Sequence, residues 1–202
     1  MSASRVAASS IAQGLPKSRS LLAGNYAYGG GATWLIERID VGSAGAASVT
    51  FSSIPQTFKH LQVRCTVRDT YTGTGTPSLG TRFNGDSSAS YTYHALYGTG
   101  SSAVGTGATG YTYSYGMNSA GDGATASVYN ANVMDILDYT STNKYKTTRT
   151  LSGVDYNTAS YSSYAGLYTT LWLNTAAITS IAIYPNVLHK QYSTFALYGV
   201  VG

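Results

Sequence analysis

The stretch FSSIPQTFKHLQVRCTVR, Phe51 to Arg68, decides the fold of this chain. From Leu61 it alternates without a break: Leu61, Val63, Cys65 and Val67 fall on one side, Gln62, Arg64, Thr66 and Arg68 on the other. A period of two, rich in β-branched side chains, predicts a strand with one buried and one wetted face. Ile54-Pro55 just before it predicts a bend, because proline lacks the amide donor and pushes its predecessor toward extended geometry. The pattern places this strand in the middle of a β-sandwich, with Cys65 as a packed core thiol.

Working outward, the 202 residues suit one domain with an appendage. Charged residues make up only 10% and hydrophobic ones 43%, which excludes a polyelectrolyte or a disordered chain. The 19 tyrosines favour strands and the 23 glycines punctuate them. The net charge of +4 is uneven. Residues 1–31 carry Arg5, Lys17 and Arg19 and no acid, leaving nine basic side chains against eight acidic ones in the rest. A body so close to neutral argues against a phosphate-binding nucleic-acid groove. A lone cysteine excludes an internal disulfide and a cysteine zinc cluster. No run approaches the roughly 18–20 apolar residues that would span a bilayer, so no membrane partner is expected.

Residues 1–31 show no strand alternation, Gly14-Leu15-Pro16 breaks any helix, and Gly29-Gly30-Gly31 forms a hinge. This segment is basic, Ser-rich and free of acid until Glu37, a superficial likeness to a transit peptide without the apolar core of a secretory signal. It is expected to be an extended N-terminal arm that another surface orders.

The body, residues 32–202, begins with a strand at Trp34–Val41 and continues through Ala47–Phe51. Leu79–Phe83 and Tyr91–Tyr97 flank Asn84-Gly85, a pair that tolerates positive φ and predicts a two-residue hairpin. Residues 98–123 hold eight glycines around an alternating Tyr111, Tyr113 and Tyr115. They are expected to form a long exposed excursion or an irregular hairpin, and loops of that length are more often functional or mobile than idle. Strand character resumes at Ser127–Leu137, Tyr145–Leu151, Leu167–Leu173, Ile178–Tyr184 and Tyr192–Val200. Nine or ten short strands without a helix predict an all-β, two-sheet β-sandwich of jelly-roll type.

Catalytic and ligand motifs fail on their context. Gly105-Thr-Gly107-Ala-Thr-Gly110 matches G-x-G-x-x-G, but no helix follows it, as a dinucleotide site requires. His60, His94 and His189 stand singly, without metal-ligand spacing, and are expected to hydrogen-bond locally. No G-x-S-x-G elbow is present. Glu37 is the only glutamate, and Asp135 and Asp138 fall on opposite faces of a strand, so no carboxylate pair for glycoside hydrolysis emerges. Asp86 is expected to cap its own backbone. No catalytic residue, cofactor or metal is expected. Tyrosine remains as a contact residue: it offers stiff, amphipathic area at little entropic cost. Most of the nineteen are expected at strand edges with the ring buried and the hydroxyl wet. For Tyr111, Tyr113 and Tyr115, burial and contact with a partner both stand open.

The succession of Trp34-Leu35-Ile36, VTFSSIPQTFKHLQVR (Val49–Arg64), RFNGD (Arg82–Asp86), YTYHAL (Tyr91–Leu96), DILDYTSTNKYKTTRTLSG (Asp135–Gly153), NTAAITSIAI (Asn174–Ile183) and FALYGV (Phe195–Val200) resembles a family of tailed-phage virion proteins. The likeness covers nearly everything after residue 33, except the insert at 98–123. It implies a non-enzymatic jelly-roll protein on the outer surface of a virion, most simply a capsid decoration (cement) protein. Its partners would be the major capsid protein and copies of itself, as a dimer or trimer, with Arg5, Lys17 and Arg19 in the anchoring arm. The alternative implied is a tail- or head-mounted adhesin that recognises host polysaccharide through Tyr111, Tyr113 and Tyr115. Lys144-Tyr145-Lys146 reads as an edge strand guarded by lysines.

Overall fold

A computed structural model describes residues 32–73, 76–157 and 163–202. The expected arm, with Arg5, Lys17 and Arg19, lies outside the described residues. Within them the chain is all-β. Its twelve strands are β1 (Thr33–Asp40), β2 (Val49–Phe51), β3 (His60–Val67), β4 (Ser78–Phe83), β5 (Tyr91–Gly98), β6 (Ala103–Tyr111), β7 (Ser114–Asn118), β8 (Asn130–Ile136), β9 (Lys146–Val154), β10 (Tyr164–Trp172), β11 (Ile181–Tyr184) and β12 (Thr194–Val200). They form two antiparallel sheets, β1-β12-β3-β8-β9-β10-β5-β6 and β2-β11-β4-β7.

The order resolves into a frame and an extension. Four strands of the large sheet, β1-β12-β3-β8, make up the frame with the small sheet β2-β11-β4-β7, whose edge strand β7 also packs on β9, β10 and β5. The chain crosses between the sheets at every frame step except β4 to β7, which pair side by side. That is the eight-stranded jelly roll. Two insertions, β5–β6 after β4 and β9–β10 after β8, pair with each other through β10 and β5. Together they lengthen the large sheet beyond β8 by four strands.

Alternation in β3 produces the core as expected. Leu61, Val63, Cys65 and Val67 are buried against Phe51, Leu79, Phe83, Ile181 and Ile183 of the small sheet and Phe195 and Leu197 of β12. Each such side chain contributes on the order of 1.5–3 kcal/mol by leaving water. Burial pushes the Cys65 thiol up to about 12, so it is inert at neutral pH. The alternation stops one residue earlier than the sequence suggests. Arg68, expected on the wetted face, is only 3% exposed. Its Nη1 donates to the carbonyls of Thr125 and Val128, both at 2.8 Å, and its Nη2 to those of Asp122 and Ala124. Four peptide oxygens replace the water that the guanidinium gives up.

Three further expectations are corrected. Asn84 and Gly85 do take positive φ (52° and 70°), and the Asp86 amide closes the turn on Phe83 O. Yet no hairpin forms, because β4 and β5 belong to different sheets. The Asn84 side chain instead ties the turn to the approach to β11, accepting from Thr179 N at 2.8 Å and donating to Ala177 O at 2.8 Å. Residues 98–123 are no excursion: they contain β6, an edge strand of the large sheet, and β7, an edge strand of the small one. Of the glycines that mimic a loop, Gly107, Gly116, Gly121 and Gly123 permit close approach. A methyl on Gly116 (φ +127°) would stand 2.7 Å from Tyr168 Cβ. Finally, Lys144-Tyr145-Lys146 guards no edge, since β9 lies between β8 and β10. Lys146 is fully buried, with Nζ donating to Lys144 O and Thr175 O at 3.0 Å, and burial, then the Lys144 charge, lower its pKa.

Candidate functional site

The extension has two unlike faces. Its inner face carries tyrosines. Tyr93 and Tyr97 of β5, Tyr164 and Tyr168 of β10, and Tyr111 and Tyr115 at the β6–β7 passage pack into one cluster, with Tyr113 at its margin. Tyr93 stacks on Tyr115 at 4.6 Å and meets Tyr111 edge-on at 5.1 Å. Tyr115 meets Tyr168 at 5.7 Å, and its hydroxyl accepts from Ser78 Oγ at 2.9 Å. Such pairs each add roughly 0.5–1.5 kcal/mol beyond area burial. The structure therefore brings Tyr111, Tyr113 and Tyr115 together as half-buried packing groups, not as tips of a loop.

The outer face carries leucines. Val133 (β8), Leu151 (β9), Leu167 (β10) and Leu96 (β5) are direct cross-strand partners, and the row ends on Gly105 of β6. Leu96, Leu151 and Leu167 are 60%, 61% and 53% exposed. Beside them runs a second row of small residues in register: Ala131, Gly153, Ala165, Gly98 and Ala103. On the other flank lie Asp135, Arg149, Thr169 and His94. With strands about 4.8 Å apart, the leucine row is about 20 Å long, and with its small-residue shelf covers on the order of 300 Å². The sequence holds no Asp, Glu, Lys or Arg from residue 87 to residue 121, so β5, β6 and β7 carry no formal charge apart from the titratable His94. β6 ends the sheet without a lysine or proline to blunt its edge. Pattern reading along single strands missed this face, because each leucine is an isolated outward residue until register joins them.

The titratable groups have structural partners. Asp86 caps Ser88 N at 2.9 Å, as expected, and also accepts from Trp172 Nε1 at 2.7 Å and Ser90 Oγ at 2.8 Å. Burial raises its carboxyl, but the bonds from Ser88, Trp172 and Ser90 outweigh this and hold it at about 2. His60 Nδ1 accepts from Asp138 N, while Lys144 and Lys59 hold the Asp138 carboxyl at about 2. Among the described residues no three His, Cys, Asp or Glu side chains converge as a metal site. Gly105, Gly107 and Gly110 lie along β6, which leads to a strand and not to a helix.

His189 is fully buried, edge-on to Phe195 at 4.8 Å, with Nε2 facing Ile183 O at 3.2 Å. Burial lowers its pKa to about 4. An unfolded histidine takes its proton near 6.5, so this group's stabilisation is complete above that value and is lost as pH falls through 4. We expect stability to drop by on the order of 1.4 kcal/mol per pH unit in this window. Asp69, paired with His189 across an isolated bridge and raised by burial, opposes that slope. His189→Gln isolates the effect: urea midpoints from pH 7 to 4 flatten in the variant, and an unchanged profile refutes the assignment.

Fold and site together define a jelly-roll sandwich with an extension that carries leucines on its outer face. No family model, curated protein or solved structure matches this chain.

Proposed function

We propose that this chain is a non-enzymatic phage virion structural protein that decorates the outside of an assembled capsid shell. The observation that carries the reading is the in-register leucine row. Strands β9, β10 and β5 serve the core through their inner side chains, Tyr91 and Trp172 among them, and folding does not require three leucines on the outer side of the same strands. The largest apolar patch on a protein of this size is often its contact surface for another macromolecule, and this row supports that role. The likeness of Trp34–Val200 to tailed-phage virion proteins names the partner class: the major capsid protein, with further copies of this chain as neighbours in a dimer or trimer. Residues 1–31, with Arg5, Lys17 and Arg19, serve as the strap that extends the contact. Binding to the assembled lattice and not to free subunits stabilises the particle by mass action.

The test uses undecorated particles mixed with wild-type protein, with a Leu96→Ser/Leu151→Ser/Leu167→Ser variant, and with a chain lacking residues 1–31. Wild type is expected to co-sediment with the particles at on the order of hundreds of copies, as a lattice component must. Burying three leucines is worth several kcal/mol, so the triple variant is expected to bind about a hundredfold more weakly or worse. Each exposed change shifts stability by only about 0.5 kcal/mol. Loss of the arm removes binding and leaves the body folded. Full occupancy by the triple variant, or a copy number near a dozen for wild type, overturns the reading.

A further inference from the structure

The other side of the sandwich carries a second feature. On the outer face of β2-β11-β4-β7 lies an open cleft of about 290 Å³. Gly80 forms part of its floor, and the Tyr113 ring lies so close that a methyl there would stand 3.2 Å from Tyr113 Cγ. Tyr184 of β11 is the direct partner of Gly80. The cleft is thus bounded by two tyrosines, Tyr113 lying over the Gly80 backbone and Tyr184 on the neighbouring strand. The Arg82 guanidinium sits 5.2 Å from the centre of the Tyr184 ring, and Nε donates to Thr112 O at 3.1 Å. These two contacts fix the fork while using one of its five N–H donors. Ser78 and Asn186 add a hydroxyl and an amide to the lining, which holds no carboxylate.

We propose that this cleft binds an anionic saccharide, a pyranose unit bearing a carboxylate. The apolar C–H face of a sugar ring packs on tyrosine. A planar guanidinium held in place matches a carboxylate's two oxygens, and no protein acid in the cleft competes for it. The volume lies at the small end of ligand sites, enough for one or two sugar rings and too small for a long peptide. The blander role, in which Arg82 merely lays its stem over the sheet, does not account for a fixed guanidinium in a cleft whose lining holds no acid. This site and the leucine row lie on opposite outer faces of the sandwich, so occupancy of one leaves the other free. The inference stands independently of the decoration reading.

Titration of the intact protein with trigalacturonate, maltotriose and inorganic phosphate, followed by calorimetry, tests it. Trigalacturonate is expected to bind saturably and at least tenfold more tightly than maltotriose. Arg82→Gln removes that preference, and Arg82→Lys restores it only in part, because a lysine is a point charge. Tyr184→Ala weakens both sugars about tenfold, whereas Arg64→Gln on the opposite sheet changes neither. Melting temperatures of all variants serve as the folding control, with Arg82→Gln expected near wild type on its half-exposed strand face. No saturable trigalacturonate binding, an equal response to phosphate, or an undiminished preference in Arg82→Gln overturns the proposal.

Discussion

Replacing Arg68 by alanine lowers the unfolding free energy by about 3–5 kcal/mol, one of the two largest effects expected of a single change in this protein. The cost is not that of a lost surface charge. The four carbonyls of Asp122, Ala124, Thr125 and Val128 converge on one guanidinium, and all four lose their donor together. The Asp122 carboxylate also stands 3.5 Å from Nε and loses one of its two cations, retaining Lys190. Residues 121–128 connect β7 to β8 without strand pairing of their own, so the arginine is their internal scaffold. Arg68→Lys recovers little, because three donors on a flexible stem do not reproduce a planar fork. Urea unfolding of Arg68→Ala beside Arg64→Ala gives the comparison. Arg64 is exposed on β3, just before Arg68, and should change stability by about 0.5 kcal/mol or less. Equal effects of the two substitutions would sink the assignment.

Trp172→Ala is expected to cost a similar 3–5 kcal/mol. Trp172 is 1% exposed at the end of β10, where the extension meets the frame. It stacks with Tyr91 at 6.3 Å and tilts against Phe83 at 5.6 Å, so one indole joins β10, β5 and β4 across both sheets. Its N–H also reaches Asp86 in the segment that carries the chain from one sheet to the other. Trp172→Phe separates packing from that bond. It retains most of the ring and should cost only about 1–2 kcal/mol. The Asp86 carboxyl, held at about 2 with the indole's help, then rises. A carboxyl with a lowered folded pKa contributes stability above its unfolded value near 3.9 and loses it as pH falls through 2. The phenylalanine variant should therefore have a flatter acid limb than wild type in denaturation from pH 5 to 2. A parallel acid limb would show that the indole bond does not hold the carboxyl.

The reading of Phe51–Arg68 and the structure agree where packing follows period two, and part where a neighbour intervenes. Leu61 to Val67 needed only the pleat to place them. Arg68 continues the same arithmetic and is nevertheless buried, because Asp122–Val128, more than fifty residues away, supply acceptors that no local pattern announces. Lys146 fails for the same reason: Thr175 O and Lys144 O accept its protons, while the text around it looks like a charged edge. Tyr111, Tyr113 and Tyr115 alternate as strand residues do, but the surrounding glycines signal a loop. Only the closeness of Gly116 to Tyr168 shows that this glycine is there to admit a neighbour.

Composition and alternation were enough to determine an all-β sandwich, its central strand and the inward side of that strand. These are local consequences of a two-residue repeat and of which side chains avoid water. Tertiary structure alone decided that Asn84-Gly85 turns between sheets, that two distant insertions join into a four-stranded extension, and that lone leucines on three successive strands of the sheet become one row. Register between strands far apart in the chain is set by the sum of many packing contacts, and no single stretch of sequence contains that sum.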